Sequence, residues 1–306
     1  MNLTRVSPEG LLLGVGLDLL LGDPRRGHPV AGFGRVASWV ERKVYKDSRG
    51  RGVVFVGVVV GGAFGAGVVL GRVGKGEVSR VVVTGVVTWA VLGGTSLGRE
   101  GLFMASALER GDVEAARARL SHLCARDPKG LESAELARAT VESVAENTSD
   151  AAIAPLFWGA VAGVPGLVVY RAINTLDAMV GYRNPRYERF GWAAARLDDA
   201  ANWIPARVTG VLTVVYSGSA EAWRVLRRDG GNHPSPNAGR CEAAFAGALG
   251  VRLGGANSYG GEVERRPEMG DGRAPEVRDV RRAVRLSRRV GLAAAGMAAL
   301  VAWGLQ

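Results

Sequence analysis

Residues Val53 to Gly71 read VVFVGVVVGGAFGAGVVLG, and residues Val81 to Gly98 read VVVTGVVTWAVLGGTSLG. Neither stretch contains a charged residue, and each is close to the roughly 20 residues that a helix needs to cross a bilayer. Only the short segment Arg72 to Arg80 joins them. The two stretches therefore predict a transmembrane hairpin, and the expected fold is a mainly α, polytopic integral membrane helical bundle.

A soluble α/β protein is the alternative for these stretches. Valine-rich runs such as Val53 to Val60 also suit the buried strands of a parallel sheet. We disfavour this alternative because no glycine-rich phosphate loop follows a strand, and because the uncharged runs are longer than strands usually are.

Three further apolar runs set the number of crossings. Val290 to Leu305 is rich in alanine and glycine, which let helices approach closely in lipid. Ala151 to Tyr170 is interrupted by Pro155 and Pro165, and Val208 to Ala220 is shorter. We therefore expect four to five transmembrane helices, together with cytoplasmic helical segments.

The N-terminal run Leu11 to Gly22 contains Asp18 and has no small-residue cleavage site after it. It is therefore not expected to be a signal peptide. We expect it to stay attached and to pack against the helical bundle.

Composition excludes several classes of protein. Of the 306 residues, 47% are hydrophobic and 22% are charged, which excludes disorder over most of the chain. Cys124 and Cys241 show neither a disulfide-framework nor a zinc-site spacing. A net charge of +10 suits an anionic lipid, an anionic substrate or nucleic acid, but no nucleic-acid-binding motif accompanies the arginines. We expect one domain over residues 1–306 and no nucleic-acid partner.

Positive charge predicts the orientation in the membrane. Arginine and lysine are concentrated in residues 23–52 and arginine in residues 278–289, and such segments stay in the cytoplasm. Translocation of residues 171–207 is disfavoured by five arginines: Arg171, Arg183, Arg186, Arg189 and Arg196. We therefore expect a multi-pass protein of the cell (inner or plasma) membrane, with an active site on the cytoplasmic side.

Residues 138–150, RATVESVAENTSD, form the first dense group of polar side chains. A helical spacing of four places these four on one face: Arg138, Glu142, Glu146 and Asp150. Ser143 and Asn147 lie on the next row. Three acids on one stripe repel each other unless a cation or the donors of a ligand lie among them. The alternative is a solvated helix face on which Arg138 pairs with Glu142.

Two more polar groups follow. Asn174 and Asp177 share a helical face and precede the arginine- and tyrosine-rich residues 181–190, which suit a phosphate or an amide-rich ligand. In residues 196–202, RLDDAAN, Asp198 and Asn202 are four apart and Asp199 is three beyond Arg196. Paired carboxylates are what Mg²⁺ and its phosphate complexes require. The alternative is a helix N-cap with surface acids.

Two histidines and one glycine-rich segment complete the candidate features. His28 and His233 each precede a proline, so a turn residue is the more common interpretation than a catalytic base. Leu253 to Gly261, LGGANSYGG, is expected to be flexible enough to approach a ligand closely.

Taken together, five blocks of sequence resemble the CobD/CbiB family of cobalamin biosynthesis proteins, which are integral-membrane adenosylcobinamide-phosphate synthases. They are LDLLLGDPRRGHPV from Leu17, ARARLSHLCARD from Ala116, RATVESVAENTSDAAIAPLFW from Arg138, YRAINTLDAMVGYRNPRYERFGWAAARLDDAANWIPAR from Tyr170 and SPNAGRCEAAFAGALGVRLGG from Ser235. The resemblance covers nearly the whole chain. Only the spacer before His28 is slightly shorter than in many relatives.

The resemblance implies an acid-amine ligase, an amide synthase. Such an enzyme joins a side-chain carboxylate of adenosylcobyric acid to 1-amino-2-propanol or its O-phosphate, with ATP and Mg²⁺ as cofactors. The implied partners are the corrinoid, the amine, membrane lipid and other enzymes of the corrinoid pathway. No Walker A loop is present in the sequence, so the ATP site has to be of an unusual kind.

The resemblance also implies roles for individual residues. Catalysis is placed on five acids: Glu142, Glu146, Asp150, Asp198 and Asp199. The Mg²⁺ ligands are four of these: Glu146, Asp150, Asp198 and Asp199. Substrate binding falls to Asp23, His28, Asn147, Asn174, Asp177, Arg183, Tyr187, Arg196, Asn202, Arg207 and Asn237. In this set Arg183, Arg196 and Arg207 bind phosphate, whereas Asp23 and His28 complete the cytoplasmic mouth.

Two other classes of function stay open. A Mg-dependent membrane phosphotransferase or prenyltransferase acting on a lipid-linked substrate would use similar acids. A membrane scaffold that docks other corrinoid enzymes would not need them, so Asp199→Asn or Glu146→Gln would leave cobinamide formation intact.

Overall fold

A computed structural model describes residues 6–24, 27–73, 76–182, 184–259 and 262–305. The protein is mainly α-helical, with 76% of the residues in helices, which confirms the expected class. The helices are α1 (Pro8–Leu21), α2 (Pro29–Val44), α3 (Arg49–Val73), α4 (Glu77–Val91), α5 (Gly94–Glu109), α6 (Val113–Leu120), α7 (Ser133–Thr148), α8 (Ala154–Val180), α9 (Trp192–Ala201), α10 (Trp203–Ser217), α11 (Ala220–Asp229), α12 (Ala238–Leu249) and α13 (Val277–Gly304).

The chain divides into two compact units. The first contains α1 to α4, α8, α9 and the C-terminal end of α13. The second contains α5 to α7, α10 to α12, a β-hairpin and the beginning of α13. The polar group of residues 138–150 lies in the second unit, and those of residues 174–190 and 196–202 lie in the first.

Helix α1 packs against α4 through small residues. A Cβ atom added at Gly10 would lie 2.5 Å from Thr84 Cβ, and Gly14 meets Thr88 in the same way one turn later. Such close approach between helices requires glycine. The expectation that the N-terminal run packs against other helices is therefore confirmed.

The predicted apolar hairpin corresponds to α3 and α4, with one correction. Helix α3 covers the whole of Val53 to Gly71, but Val81 to Gly98 is not a single helix. Helix α4 ends at Val91, where Leu92 has an extended backbone (φ −71°, ψ 159°), and α5 begins at Gly94. An extended residue cannot continue the helical hydrogen-bond ladder, so the run is divided between two helices.

Within the described residues, three helical stretches are long and apolar enough to cross a membrane: Arg49–Val73, Glu77–Glu109 and Ser133–Val180. The second and third stretches join consecutive helices. Val290 to Leu305 lies in the continuous helix α13, and Val208 to Ala220 lies largely in α10. The count of four to five crossings stays a prediction.

The two prolines of the run from Ala151 to Tyr170 have different effects. Pro155 lies in the first turn of α8, where its missing N–H is not needed. Before Pro165 the helix is interrupted at Gly163, whose φ of 68° and ψ of −155° are not helical. The predicted break therefore occurs only at the second proline. A π-helical turn, Ser149–Ile153, connects α7 to α8.

The predicted glycine-rich segment forms a strand over Leu253–Tyr259, while its last two residues, Gly260 and Gly261, lie outside the described residues. Strands β1 (Leu253–Tyr259) and β2 (Glu262–Met269) form an antiparallel pair with a register shift between Leu253 and Gly255. Gly254 has a φ of +87°, which other residues rarely adopt. The glycines therefore shape a bulged strand, and its flexibility towards a ligand stays a prediction.

A buried core in the first unit holds α8 against α9. Phe190, which precedes α9, packs on Phe55 of α3 with ring centroids 5.2 Å apart. Leu176 and Val180 of α8 and Ala194 of α9 belong to the same cluster. Because these contacts fix both helices, the polar residues on α8 and α9 are held in a defined arrangement.

Candidate functional site

The structure brings together the second and third polar groups predicted from the sequence. Asn174 and Asp177 lie on α8, Asp198 and Asp199 lie on α9, and Asn202 is the C-cap of α9. The negative charges of Asp177 and Asp199 both raise the pKa of Asp198. We call these five residues the α8–α9 acid cluster.

Asp198 ends a chain of two hydrogen bonds, the first buried and the second partly buried. The Tyr170 hydroxyl donates to Asn202 Oδ1 at 2.9 Å, and Asn202 Nδ2 donates to Asp198 Oδ2 at 3.0 Å. Asp198 Oδ1 is shielded from solvent, and no donor reaches it in hydrogen-bonding geometry. Since a buried carboxylate oxygen is costly to leave without a partner, this atom is suited to a cation or to the donor of a ligand.

The acid cluster changes the protonation of Asp198. Burial, followed by the charges of Asp177 and Asp199, raises the pKa of Asp198 to about 7, although the amides of Asn202 and Asn174 oppose the shift. A carboxyl with this pKa exchanges its proton near neutral pH. Perturbed carboxyls of this kind are concentrated at functional sites.

Asp199 has a different environment from Asp198. It pairs with Arg196 at 3.2 Å, and the Arg196 side chain is largely exposed. Both aspartates lie inside α9 rather than at its N-terminus, so the alternative interpretation as a helix N-cap is wrong.

The connection that follows α8 surrounds the cluster with further polar residues. A Cβ atom at Gly181 would overlap Asp177 Oδ1, so glycine is required for this close approach. Burial, and then the charge of Asp177, raise the pKa of the neighbouring Tyr182. Arg183, predicted to bind phosphate, lies outside the described residues.

Tyr187, predicted to bind substrate, has a protein partner. Its hydroxyl donates to Glu41 Oε1 at 2.9 Å, and Arg186 binds the same oxygen at 3.1 Å. Burial and Glu41 raise the pKa of Tyr187. Glu41 was not predicted from the sequence, because nothing in the pattern of α2 marks it as a partner of a residue so distant in the chain.

Asp23 and His28 lie together at the beginning of α2. His28 Nδ1 accepts a hydrogen bond from the Val30 N–H at 3.1 Å, and Nε2 is 3.9 Å from Asp23 Oδ2. The histidine therefore caps the helix, in agreement with its interpretation as a turn residue. Trp89 Nε1 donates to the Gly22 carbonyl at 2.9 Å and ties this segment to α4.

In the second unit, Glu142 is buried and neutralised by arginines. Arg126 lies 2.5 Å and Arg138 3.6 Å from its carboxylate, and the Gly254 N–H donates to Oε1 at 2.8 Å. The Arg138–Glu142 pair of the alternative interpretation thus exists, but Glu142 is only 5% exposed rather than solvated. The pair connects α7 to β1, since Arg138 also donates to the Gly254 carbonyl.

The remaining acids of the predicted stripe, Glu146 and Asp150, affect the pKa of Cys241 on α12. Burial raises the pKa of this thiol, and the charges of Asp150 and Glu146 raise it further. Asn147, predicted to bind substrate, donates to the Ser143 carbonyl of its own helix at 2.9 Å. The charges of Glu146 and Asp150, the Mg²⁺ ligands predicted in this unit, therefore affect a buried cysteine that no sequence spacing connects with them.

Glu242 of α12 was not predicted from the sequence. It is only 2% exposed, and burial followed by the charges of Glu142 and Glu146 raises its pKa well above the ordinary value. His233 Nε2 is 3.8 Å from its carboxylate and 3.3 Å from Arg266 Nη1. The sequence signal for this pair is NHPSPNAGRCE, residues 232–242, which contains both His233 and Glu242. The proline after His233 favours a turn residue and does not point to an acidic partner.

Arg207 and Asn237, both predicted to bind substrate, contact each other. Arg207 Nη1 is 3.5 Å from Asn237 Oδ1 and donates to the Trp203 carbonyl at 2.6 Å. The guanidinium also lies over the Trp203 ring, 4.0 Å from its centroid. The structure thus joins α10 to the beginning of α12 through two predicted residues.

No group of three or more His, Cys, Asp or Glu side chains among the described residues is arranged to hold a metal ion. Mg²⁺ sites often use one or two carboxylates and complete their octahedron with water and substrate phosphate. The four predicted ligands fall into two pairs, Asp198 with Asp199 in the first unit and Glu146 with Asp150 in the second. Their role in metal binding stays a prediction.

Comparisons with known proteins agree on one family. The family described as CobD/Cbib protein matches residues 11–287. The cobalamin biosynthesis protein CobD of Mycobacterium tuberculosis (strain CDC 1551 / Oshkosh) is 54% identical over 302 residues, which cover 96% of this chain and 95% of the relative. The protein of the same name from Geobacter metallireducens is 46% identical, over 85% of this chain and 86% of that protein.

A third relative, the cobalamin biosynthesis protein CobD of Chromobacterium violaceum, is 42% identical over 94% of this chain and 93% of its own length. No solved structure matches the chain. Because the family match covers most of the chain and these relatives align over nearly their full length, the chain belongs to the CobD/CbiB family.

Proposed function

We propose that this protein is an enzyme of cobalamin biosynthesis that forms an amide bond, an adenosylcobinamide-phosphate synthase. It would join a side-chain carboxylate of adenosylcobyric acid to 1-amino-2-propanol or its O-phosphate. Membership of the CobD/CbiB family and the names of the relatives support the pathway. The observation that carries the chemistry is the α8–α9 acid cluster, where Asp198 combines a pKa of about 7 with an unpartnered oxygen.

Amide formation requires an amine without its extra proton. Aliphatic amines are protonated at neutral pH, and the nitrogen can form the new C–N bond only after a proton has left. A carboxylate with a pKa near the working pH is an efficient acceptor for such a proton. Asp198 has this property, while Asn202 and Tyr170 hold its side chain in one orientation.

The acid cluster also fits a divalent cation. Asp198 and Asp199 would hold Mg²⁺, since hard carboxylate oxygens are its preferred ligands. Asp198 Oδ1 is a buried acceptor that lacks a donor, and the neighbouring charge of Asp177 favours a cation there. When bound, Mg²⁺ would neutralise the charge of the reacting phosphate groups. Proton and metal would exclude each other at Asp198, so Mg²⁺ should bind less tightly below pH 7, and the carboxylate could accept the proton of the amine only while the cation is not bound to it.

The residues described above do not form a recognisable ATP site. The sequence has no Walker A loop, and Arg196 is already paired with Asp199. ATP supplies the phosphoryl group that converts a carboxylate into an acyl donor, a requirement that comes from the family resemblance. We therefore derive no step at this site that passes through ATP.

We also propose that the protein is embedded in the cell membrane. Three helical stretches have the required length and composition. Helix α3 exposes large apolar side chains along its length, among them Val53, Val58, Phe64 and Val69. Such a surface is unfavourable in water and favourable in lipid. The cytoplasmic location of residues 171–207 rests on their arginines.

The proposal is tested by reconstituting the purified protein with adenosylcobyric acid, 1-amino-2-propanol phosphate, ATP and Mg²⁺. Mass spectrometry should detect the amide product, and omitting either ATP or Mg²⁺ should abolish it. Asp198→Asn should reduce the rate by at least about 100-fold, the usual contribution of a proton-transfer group. Arg227→Gln, a change at an exposed residue of α11, is the control and should retain full activity.

Three results would contradict the assignment. Amide formation without ATP would exclude an ATP-dependent ligase. A lipid-linked product that forms without the corrinoid would favour the Mg-dependent phosphotransferase or prenyltransferase instead. Unchanged cobinamide formation in Asp198→Asn, at normal protein abundance, would indicate a scaffold rather than a catalyst.

A further inference from the structure

The arginines of α13 differ in their partners along the helix. The first three are paired with acids: Arg278 with Glu276 at 2.9 Å, Arg281 with Glu109 at 2.6 Å and Arg282 with Asp279 at 2.7 Å. In the described part of the chain no carboxylate pairs with the last three, Arg285, Arg288 and Arg289, and all three are exposed. The apolar run that begins at Val290 follows them directly. Positive charge without a counter-ion is therefore concentrated where the polar part of α13 meets its apolar part.

A groove between α10 and α13 lies at this boundary. Its volume is about 480 Å³, and it is lined by Tyr216 of α10 and by Arg289, Leu292 and Ala293 of α13. These four residues all belong to the second unit. Arg289 and Leu292 are three residues apart and so lie on one face of α13. The groove thus combines a guanidinium group and a phenol hydroxyl with apolar walls.

Exposed apolar side chains are present on both helices of the groove. On α10, Val211 is 47% and Val215 65% exposed, and on α13 Leu292 is 50% exposed. Val211 and Val215 are four residues apart and share a helix face. Exposed apolar side chains grouped in this way mark a surface that binds protein or lipid. A hydrocarbon chain would remove them from water, whereas a hydrated ion would not.

The charge at the groove is suited to an anionic phosphate group. Arg288 lies against α5, where a Cβ atom at Gly98 would be 3.2 Å from its Nε. Arg285 is four residues before Arg289 and extends the positive charge along the same face. Guanidinium groups bind phosphate oxygens through paired N–H donors. Basic residues that directly precede an apolar helical run also attract anionic lipid headgroups.

We propose that the groove between α10 and α13 binds an anionic glycerophospholipid. Its phosphate group would bind Arg289 and the Tyr216 hydroxyl, and an acyl chain would lie along Leu292 and the exposed valines of α10. A phospholipid joins phosphate to hydrocarbon in one molecule, whereas a soluble phosphate compound would leave the apolar walls in water. The inference rests on the proposed membrane location and does not depend on the proposed synthase reaction.

Native mass spectrometry of the purified full chain in a neutral detergent measures lipid binding directly. The probes are phosphatidylglycerol, which is anionic, and phosphatidylcholine with the same acyl chains, which is zwitterionic. Phosphatidylglycerol should bind at least about tenfold more tightly, because Arg285 and Arg289 each contribute a factor of about five. Arg289→Gln should weaken phosphatidylglycerol binding about fivefold. Leu292→Gln should weaken both lipids by a similar factor, since it changes the apolar wall and no charge.

Arg278→Gln is the matched control, because it makes the same change of charge on the same helix. Arg278 is exposed and lies eleven residues before Arg289, about 16 Å along the helix. This distance exceeds the Debye length of about 8 Å at 0.15 M salt, so at that salt concentration phosphatidylglycerol affinity should equal that of the wild type. Thermal unfolding verifies the fold of each variant. Unchanged phosphatidylglycerol affinity in Arg289→Gln would overturn the proposal, as would equal weakening by Arg278→Gln.

Two further results would assign the groove to a different occupant and overturn the proposal. The first is displacement of phosphatidylglycerol by glycerol 3-phosphate at equal concentration, which would identify a site for soluble phosphate compounds. The second is a dimer that binds neither lipid and that Leu292→Gln dissociates, which would identify a second copy of the chain.

Cell fractionation separates this proposal from the proposed membrane location. Recovery of the chain in the soluble fraction of cells lysed without detergent would contradict the membrane location itself. A chain that stays in the membrane fraction but binds phosphatidylglycerol no more tightly than phosphatidylcholine would overturn only the lipid site.

Discussion

At the scale of single residues, the ionised form of Asp198 that the proposed function requires lowers the stability of the fold. Burial, with the charges of Asp177 and Asp199, raises its pKa from 3.8 to about 7. The folded state therefore binds this proton more tightly than the unfolded state does. The resulting stabilisation is complete below about pH 4 and is lost as the pH rises through about 7. The loss is at most about 4 kcal/mol at pH 8, since one pKa unit corresponds to about 1.4 kcal/mol.

Asp198→Asn should accordingly unfold at a higher temperature than the wild type at pH 8. The neutral amide removes the buried charge, and the difference should shrink towards zero near pH 3, about one unit below the unfolded pKa, where the wild-type carboxyl is largely protonated in both states. Thermal unfolding in detergent, followed by tryptophan fluorescence at the two pH values, measures this.

Asp199→Asn is the control for this experiment. Asp199 is more accessible than Asp198 and is paired with Arg196, so the change should alter stability by less than about 1 kcal/mol at either pH. A lower unfolding temperature of Asp198→Asn at pH 8 would show that the charged form of Asp198 stabilises the fold. That result would contradict the environment described above.

The sequence predicted some of these residue contacts and not others. A spacing of four residues was enough to place Asp198 beside Asn202, and three residues were enough for the pair of Arg196 and Asp199. The partners that come from distant segments could not be found this way. Examples are the contact of Tyr170 with Asn202 and that of Glu41 with Tyr187, because each depends on how two segments distant in the chain pack.

At the scale of elements, the small-residue contact between α1 and α4 should control the stability of the N-terminal helix. Gly10→Ala and Gly14→Ala should each destabilise the protein by roughly 1–3 kcal/mol, because the added methyl group meets Thr84 or Thr88. The measurement is the free energy of unfolding in urea, with the protein in detergent. Limited proteolysis should also cleave α1 faster in both variants.

Gly16→Ala in the same helix provides a matched control. Nothing lies within 4 Å of the position of its Cβ. This variant should be as stable as the wild type, or more stable by about 0.5–1 kcal/mol, because alanine is the better helix former. Equal destabilisation by all three substitutions would mean that the α1–α4 contact is not the cause.

Helix ends show where sequence patterns succeed and fail at this scale. Pro165 identified the break in α8 because proline lacks the N–H that a helix interior needs. The end of α4 at Val91 was not predicted, since Leu92 and Gly93 carry no comparable signal within an apolar run. The strand β1 was missed for a related reason: glycines permit both a flexible loop and a bulged strand.

At the scale of the whole molecule, the orientation in the membrane is the main prediction. If residues 171–207 face the cytoplasm, Glu188→Cys should not react with a membrane-impermeant thiol reagent in intact cells, and should react after permeabilisation. Glu188 is suitable because it is exposed and lies on the loop before α9. Gly181 is unsuitable because a side chain there would overlap Asp177.

Gly76→Cys, in the connection between α3 and α4, is the matching position for the opposite side. It is exposed, and the predicted hairpin places it outside, so it should react in intact cells. Cys124→Ser removes the partly exposed native thiol, while Cys241 is buried. Labelling of Glu188→Cys in intact cells would contradict the cytoplasmic assignment.

The sequence by itself determined the mainly α class, the long apolar helices and the side chains that share one helix face. These features follow from local rules, since the length of an apolar run and a spacing of three or four residues act within one segment. Only the tertiary structure decided that Arg126 neutralises Glu142 and that the charge of Asp177 raises the pKa of Asp198. The contact between Arg207 and Asn237 was likewise decided by the tertiary structure. These partners lie far apart in the chain, and burial and charge pairing depend on which helices pack together, which a local pattern does not specify.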